Sequence, residues 1–162
     1  MKTFTIIFFA LALTACSSTS SRAPYGAVQL EQVTPAVESH MGQSIRWGGK
    51  IIEVKNFQDY SQLQLVQFPL NRRGRPIETE KSQGRFFVRS EAFLDPEVFK
   101  VGSMLTVNGE VVDKAMLKVD QKDLVLPVVT MTDSQRWPTH SASGRPYSPK
   151  HDLPFVGYGY YA

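Results

Sequence analysis

Ile45-Arg46-Trp47-Gly48-Gly49-Lys50-Ile51 is the stretch on which the fold turns. Ile45, Trp47, Gly49 and Ile51 alternate with Arg46, Gly48 and Lys50. A period of two is that of a strand with one face on a core. Two adjacent glycines would weaken a flat sheet, because they bring no side chain to pack and lose the most backbone freedom on ordering. They suit a strand that bends sharply as a small barrel closes. A closed or nearly closed barrel is therefore expected.

Working outward, Leu63 and Leu65 alternate with Gln62, Gln64 and Val66, and Arg85 to Arg89 forms a third strand pattern. Leu105 to Val112 is a fourth, with Leu105, Val107 and Val111 on one face. Met116 to Val119 is a fifth and Val125 to Met131 a sixth. Asn71 to Pro76, basic and containing a glycine, connects the second and third strands and is expected on the surface. Asp95-Pro96-Glu97 has the form of a helix start, with Gly102 as its end. Upstream, Thr34-Pro35 offers a cap and a first-turn proline for a short helix through Glu38 before Gly42. The fold class expected is mainly β: a small antiparallel barrel of the oligonucleotide- and oligosaccharide-binding (OB) type, with five or six strands and one or two short helices. A different small antiparallel barrel fits the same spacing.

The chain starts with Lys2, an apolar run from Phe4 to Leu13, and small residues at Thr14 and Ala15 just before Cys16. That is the layout of an export signal. The run is about half of the ~20 residues a membrane-crossing helix needs, so it is not a span. Leu13-Thr14-Ala15-Cys16 resembles the bacterial lipobox, in which the peptide is cut before a cysteine that carries an S-diacylglycerol and an N-acyl chain. Two acyl chains already hold a protein stably, at about 0.8 kcal/mol per buried methylene, and three hold it more firmly. Ser17 is not the aspartate that resembles an inner-membrane retention signal, which implies transport to the outer membrane. The export machinery is then a partner in transit. Cys16 is the chain's one cysteine, so no intramolecular disulfide competes for it.

The serine and threonine run from Ser17 to Ser21 reads as a flexible tether. From Trp137 onward, four prolines interleave with serine, glycine and histidine, and the chain ends near Gly157-Tyr158-Gly159-Tyr160-Tyr161. No apolar period survives there, so a mobile tail is expected. The expected organisation is a signal peptide over 1–15, a lipidated cysteine with tether and short helix over 16–42, the barrel over 43–137 and the tail over 138–162. The formal charge of +3 falls to +2 once Lys2 is removed, with 17 basic residues against 15 acidic. So small an excess on an exported chain speaks against nucleic acid as partner.

Several phrases, in this order, resemble one family: Arg46-Trp47-Gly48-Gly49-Lys50-Ile51, Leu65-Val66-Gln67-Phe68-Pro69-Leu70, Gly74-Arg75-Pro76 and Ser82-Gln83-Gly84-Arg85-Phe86. They continue with Phe93-Leu94-Asp95-Pro96, Val107-Asn108-Gly109 and Leu126-Pro127-Val128-Val129, closing near Trp137. Together with the lipobox they are similar to the Slp family of starvation-inducible outer-membrane lipoproteins. The resemblance implies a protein made as carbon runs out or growth stops, with a role in envelope stability. It brings no catalytic or ligand residues. The tyrosine-rich tail and Lys118 to Leu124 depart from the family's pattern.

The residues themselves offer no catalytic constellation. His40, His140 and His151 lie far apart, Asp95 and Glu97 are explained as a cap and a first-turn charge, and Ser82 and Ser90 have no suitably placed histidine. Neither a metal nor a cofactor is expected beyond the lipid on Cys16. Two features could bind. Arg72, Arg73 and Arg75 share one loop and could meet an anion through paired hydrogen bonds. Trp47 with Phe86 or Phe87 could form a stacking surface; alternation puts the two phenylalanines on opposite faces, which leaves one, Phe87, for the outside. The expectation is a non-catalytic lipoprotein anchored to the outer membrane and facing the periplasm, structural or adaptor in role, with envelope proteins as partners. The alternative is a ligand-binding barrel for a cell-wall fragment, a lipid headgroup or a partner peptide.

Overall fold

The computed structural model describes residues Gly26–Trp137. The expected signal peptide, Cys16, and the expected tether and tail lie outside the described residues. Five strands form a closed barrel in the order β1-β2-β3-β5-β4: β1 (Ser44–Asn56), β2 (Ser61–Gln67), β3 (Arg85–Ser90), β4 (Met104–Val119) and β5 (Lys122–Trp137). All neighbours are antiparallel except β3 and β5, which run parallel over Phe87–Arg89. This is the architecture of the OB type.

The glycine pair sits where β1 changes partner. Ser44 to Lys50 pair with β4 and Gly49 to Asn56 with β2, so Gly49 and Lys50 are held on both sides. A Cβ on Gly49 would collide with the Val66 carbonyl. The close approach of the two backbones at this corner is what requires glycine.

Inside the barrel, Ile45, Trp47, Ile51, Leu63, Leu65, Phe86, Val88, Leu105 and Val107 are fully buried, and Trp47 meets Phe86 edge to face with ring centroids 5.2 Å apart. Leu30, Val33 and Val37 join the same cluster from α1 (Leu30–Val33) and the 3-10 helix Thr34–His40 that continues it. The helix thus starts four residues before the expected Thr34. Val28 is bridged to Ile45, and the Gln29 N–H bonds Gln32 Oε1 at 2.9 Å, which sets the start at Leu30. Thr34 is not an N-cap; it closes the C-terminal end of α1, where its hydroxyl bonds back to the Leu30 carbonyl at 2.9 Å.

Two further expectations are corrected. The fourth and fifth strand patterns are one strand, β4, which a register shift between Val111 and Asp113 carries past the edge of the barrel. Lys114–Val119 and Lys122–Pro127 pair with each other as a ribbon that projects from it, turning at Asp120, whose φ is 55°. The helix expected at Asp95 is a single turn. Val98 and Phe99 N–H both bond the Asp95 carbonyl, and Gly102, at φ 89°, turns the chain back so that its N–H reaches the Ile51 carbonyl.

Candidate functional site

The connection between β2 and β3 builds a concave feature outside the barrel core. Phe68 N–H bonds the Gly48 carbonyl, Ile77 N–H bonds Pro69, and Leu70 is bridged to Pro76, so the chain folds back across the outer face of β1. Asn71 shapes the tip: its Oδ1 accepts the N–H groups of Arg73 and Arg75 at 2.9 and 3.0 Å. Thr106 pins the loop by donating its hydroxyl to the Gly74 carbonyl at 2.5 Å. Leu70 and Pro76 occupy the space a side chain on Gly48 would need. The expected surface loop is therefore half embedded, with Gly74 and Pro76 buried.

Under this loop lies Arg46, 7% exposed. Alternation places it outside the barrel, as expected, but Gly74 packs directly on its guanidinium. Its Nη1 donates to Asn108 Oδ1 at 3.4 Å. Burial lowers its pKa from the ordinary arginine value and the field of Asp133 acts the other way. An arginine stays charged under any such shift, so the face carries a positive charge held away from water.

Between the loop, β1 and the start of α1 is an open cleft of about 450 Å³. Arg46 and Arg72 line it, with the amides of Gln29, Gln67 and Gln83 and the apolar Pro69 and Leu70. Among the described residues no carboxylate lines it. Gln67 Oε1 accepts the Gln83 N–H at 2.9 Å, and Gln83 Oε1 accepts the Glu31 N–H at 3.3 Å, so two of these amides are braced from behind.

The residues singled out from sequence are distributed unevenly around this cleft. Arg72 lines it and is exposed; Arg73 is exposed and is not among its described lining; Arg75 lies over the Trp137 ring, 5.9 Å from its centroid. The three arginines thus do not act as one cluster. Trp47 is corrected more strongly. Its ring is 1% exposed in the core, and its Nε1 donates to the Val28 carbonyl at 2.8 Å, which removes it from any stacking surface. Phe87 does face outward from the barrel, but at 5% exposure it is covered. The ribbon curls over it, and Leu126 and Val128 close a second small core there. Phe87→Ala should therefore cost about 3 kcal/mol in urea denaturation and loosen hydrogen-exchange protection in the ribbon before the barrel. A loss under about 1 kcal/mol would mean that the ribbon is held by its own ladder alone.

Sequence reasoning missed Arg46, Gln29, Gln67 and Gln83. Nothing local marks them, since their meeting depends on the fold-back of residues 68–77. Among the described residues, no group of three or more histidine, cysteine, aspartate or glutamate side chains could hold a metal. His40 bonds Gln43 Oε1 through Nδ1 at 2.9 Å.

A closed barrel of the OB type behind a cysteine-ended apolar leader defines a barrel-bearing bacterial lipoprotein. The chain belongs to the outer membrane lipoprotein Slp family, whose model matches residues 13–162. The match takes in Leu13 to Cys16 and runs through the tail, further than the phrases quoted above. Escherichia coli has two similar chains. The uncharacterized lipoprotein YeaY is 31% identical over 133 residues, 80% of this chain and 68% of that one. The outer membrane protein Slp is 34% identical over 74 residues, 44% of this chain and 39% of that one. An uncharacterized protein of Haemophilus influenzae is 27% identical over 96 residues, 59% of this chain and 52% of that one. Among solved structures, the mitochondrial single-stranded DNA-binding protein Rim1 of S. cerevisiae has a TM-score of 0.36 at 13% identity, covering 59% of this chain and 94% of that one. A small single-stranded DNA-binding protein of Streptomyces coelicolor has 0.38 at 11%, with the same coverage. Likeness of that size carries no argument about ligands. The protein is a lipoprotein of the cell envelope.

Proposed function

We propose that the protein is cut before Cys16, acylated there on sulfur and nitrogen, and held by those chains on the periplasmic side of the outer membrane as a non-catalytic structural or adaptor protein. The role belongs to starvation and stationary phase, with envelope proteins as partners. The observation that carries this reading is the family match beginning at Leu13 and spanning Cys16. Attachment through a lipid also suits the described residues, in which no helix is long and apolar enough to cross a membrane. The exposed side chains of Phe93, Val101 and Met116, at 70%, 65% and 71%, offer apolar contact points for partners.

In cells expressing Cys16→Ala, the protein should move from the membrane pellet to the soluble fraction or remain as uncleaved precursor. Mass spectrometry of the wild-type mature chain should find an acylated amino-terminal cysteine. A mature amino terminus at any other residue would overturn the anchoring. Crosslinking in starved, intact cells should bring down envelope proteins, and a protein crosslinked to none of them would overturn the adaptor role.

A further inference from the structure

The cleft beside Arg72 is a second candidate for function, and it stands independently of how the chain reaches the membrane. Its size falls within the range of about 300–1,000 Å³ typical of sites for small molecules. Among the described residues its polar lining is two guanidinium groups and neutral amides, so that lining is positive, with Asp133 acting on Arg46 from outside it. Two carboxylates stand outside it: Glu31 behind Gln83, with Oε2 3.5 Å from Gln83 Nε2, and Asp133, which bonds Asn108 and whose field reaches Arg46.

The two arginines divide the work. Arg46 is already engaged, by Asn108 among others, and is clamped by Gly74; it contributes a fixed positive field from beneath. Arg72 is exposed at the mouth and has no hydrogen bond or ion pair to another described residue. A planar guanidinium fork matches the two oxygens of a carboxylate. The amide walls select further. Gln67 and Gln83 each spend one acceptor position on a backbone N–H, and Gln83 Nε2 also reaches Glu31, which leaves each amide a further N–H and a second lone pair for a peptide group, while Pro69 and Leu70 offer apolar contact for one side chain. A phosphate finds one exposed cation here and acceptor oxygens around it, which is a poor match for two negative charges.

We propose that this cleft binds the carboxyl-terminal end of a short peptide, with Arg72 on the carboxylate, the glutamine amides on the last peptide groups and Pro69–Leu70 against a terminal side chain. The same chemistry is presented by an ordinary protein terminus and by the peptide arm of a cell-wall glycan, whose last residue has the D configuration.

The test uses the full-length mature lipoprotein in detergent micelles, followed by NMR of the Gly74 and Gln83 amides. N-acetyl-Ala-Ala-Ala with a free carboxylate should shift these signals saturably. Its carboxamide should bind at least about tenfold more weakly, as expected for the loss of one charge-assisted pair. Arg72→Gln should cause a similar loss and leave the fold intact because the side chain is exposed, whereas Arg73→Gln should leave binding unchanged. The isomer ending in D-alanine separates the two sources: tighter binding than the L form identifies a wall peptide and weaker binding a protein terminus, and either satisfies the assignment. Equal binding of acid and carboxamide, inorganic phosphate binding as tightly as the acid, equal losses from the two arginine variants, or no saturable shift up to about 10 mM would each overturn it.

Discussion

Gly109→Ala should destabilise the barrel severely. Gly109 faces Ile45 on one side and Met131 on the other, at the register shift where β4 is clasped between β1 and β5. A Cβ there would overlap the Thr130 carbonyl, a backbone atom that moves only if β5 moves with it. The ladder either side of that point would have to part. The cost is expected to exceed about 4 kcal/mol, the far end of the range for single substitutions and a large share of the ~5–15 kcal/mol that holds a domain together. Urea denaturation followed by circular dichroism reads it directly. A Gly109→Ala protein that melts at the wild-type midpoint would mean that β4 and β5 are not paired in this register.

Trp47→Ala is the second large loss. The indole fills the centre of the barrel against Phe86, and its removal leaves a cavity that rigid strands on all sides cannot close, worth about 3–5 kcal/mol. It also strips the half-buried Val28 carbonyl of its donor, at a further cost of about 1 kcal/mol. Trp47→Phe separates the two effects. It keeps much of the packing and loses the donor, so it should fall well short of alanine in the same denaturation. If both variants were as stable as wild type, the ring would have to lie on the surface.

The barrel was legible because closure leaves a local trace. Ile45, Trp47 and Ile51 show the inward face by spacing alone, and Gly48-Gly49 marks the corner where one strand must serve two partners. Where the trace is not local, reading stopped short. The fourth and fifth patterns merge because a bulge near Val112 keeps the ladder going, and a bulge looks like a break in alternation. At Asp95 the capping chemistry is present and Asp95 Oδ1 does accept the Glu97 N–H at 2.8 Å. The helix stops after one turn because Leu94 is held in the core, its N–H on Ser61 Oγ at 3.0 Å, and the chain must return to Ile51 within eight residues. The start at Leu30 had a readable cue in Leu30, Val33 and Val37, three and four residues apart, but Thr34-Pro35 was the stronger local signal.

The candidate site was legible only in part, for a related reason. Alternation tells which way Arg46 and Phe87 point and says nothing about what comes to lie over them. Arg46 is covered by a connection more than twenty residues away in sequence, and Phe87 by a ribbon that exists because β4 and β5 outgrow the barrel. Arg72 was found because three arginines in one loop are conspicuous; that only Arg72 faces the cleft follows from the Asn71 turn and from Trp137 taking Arg75.

The way the chain enters the barrel has a mechanical consequence. Any pull on the residues before Gly26 reaches the domain at Val28, whose N–H is tied to the Ser44 carbonyl and whose carbonyl is tied to the central indole. Traction is thus delivered to the middle of the hydrophobic interior instead of being dissipated in a peripheral loop, and Leu30 and Val33 behind it act as a toggle that resists extraction. A domain moored from that side should peel only after its tryptophan lets go.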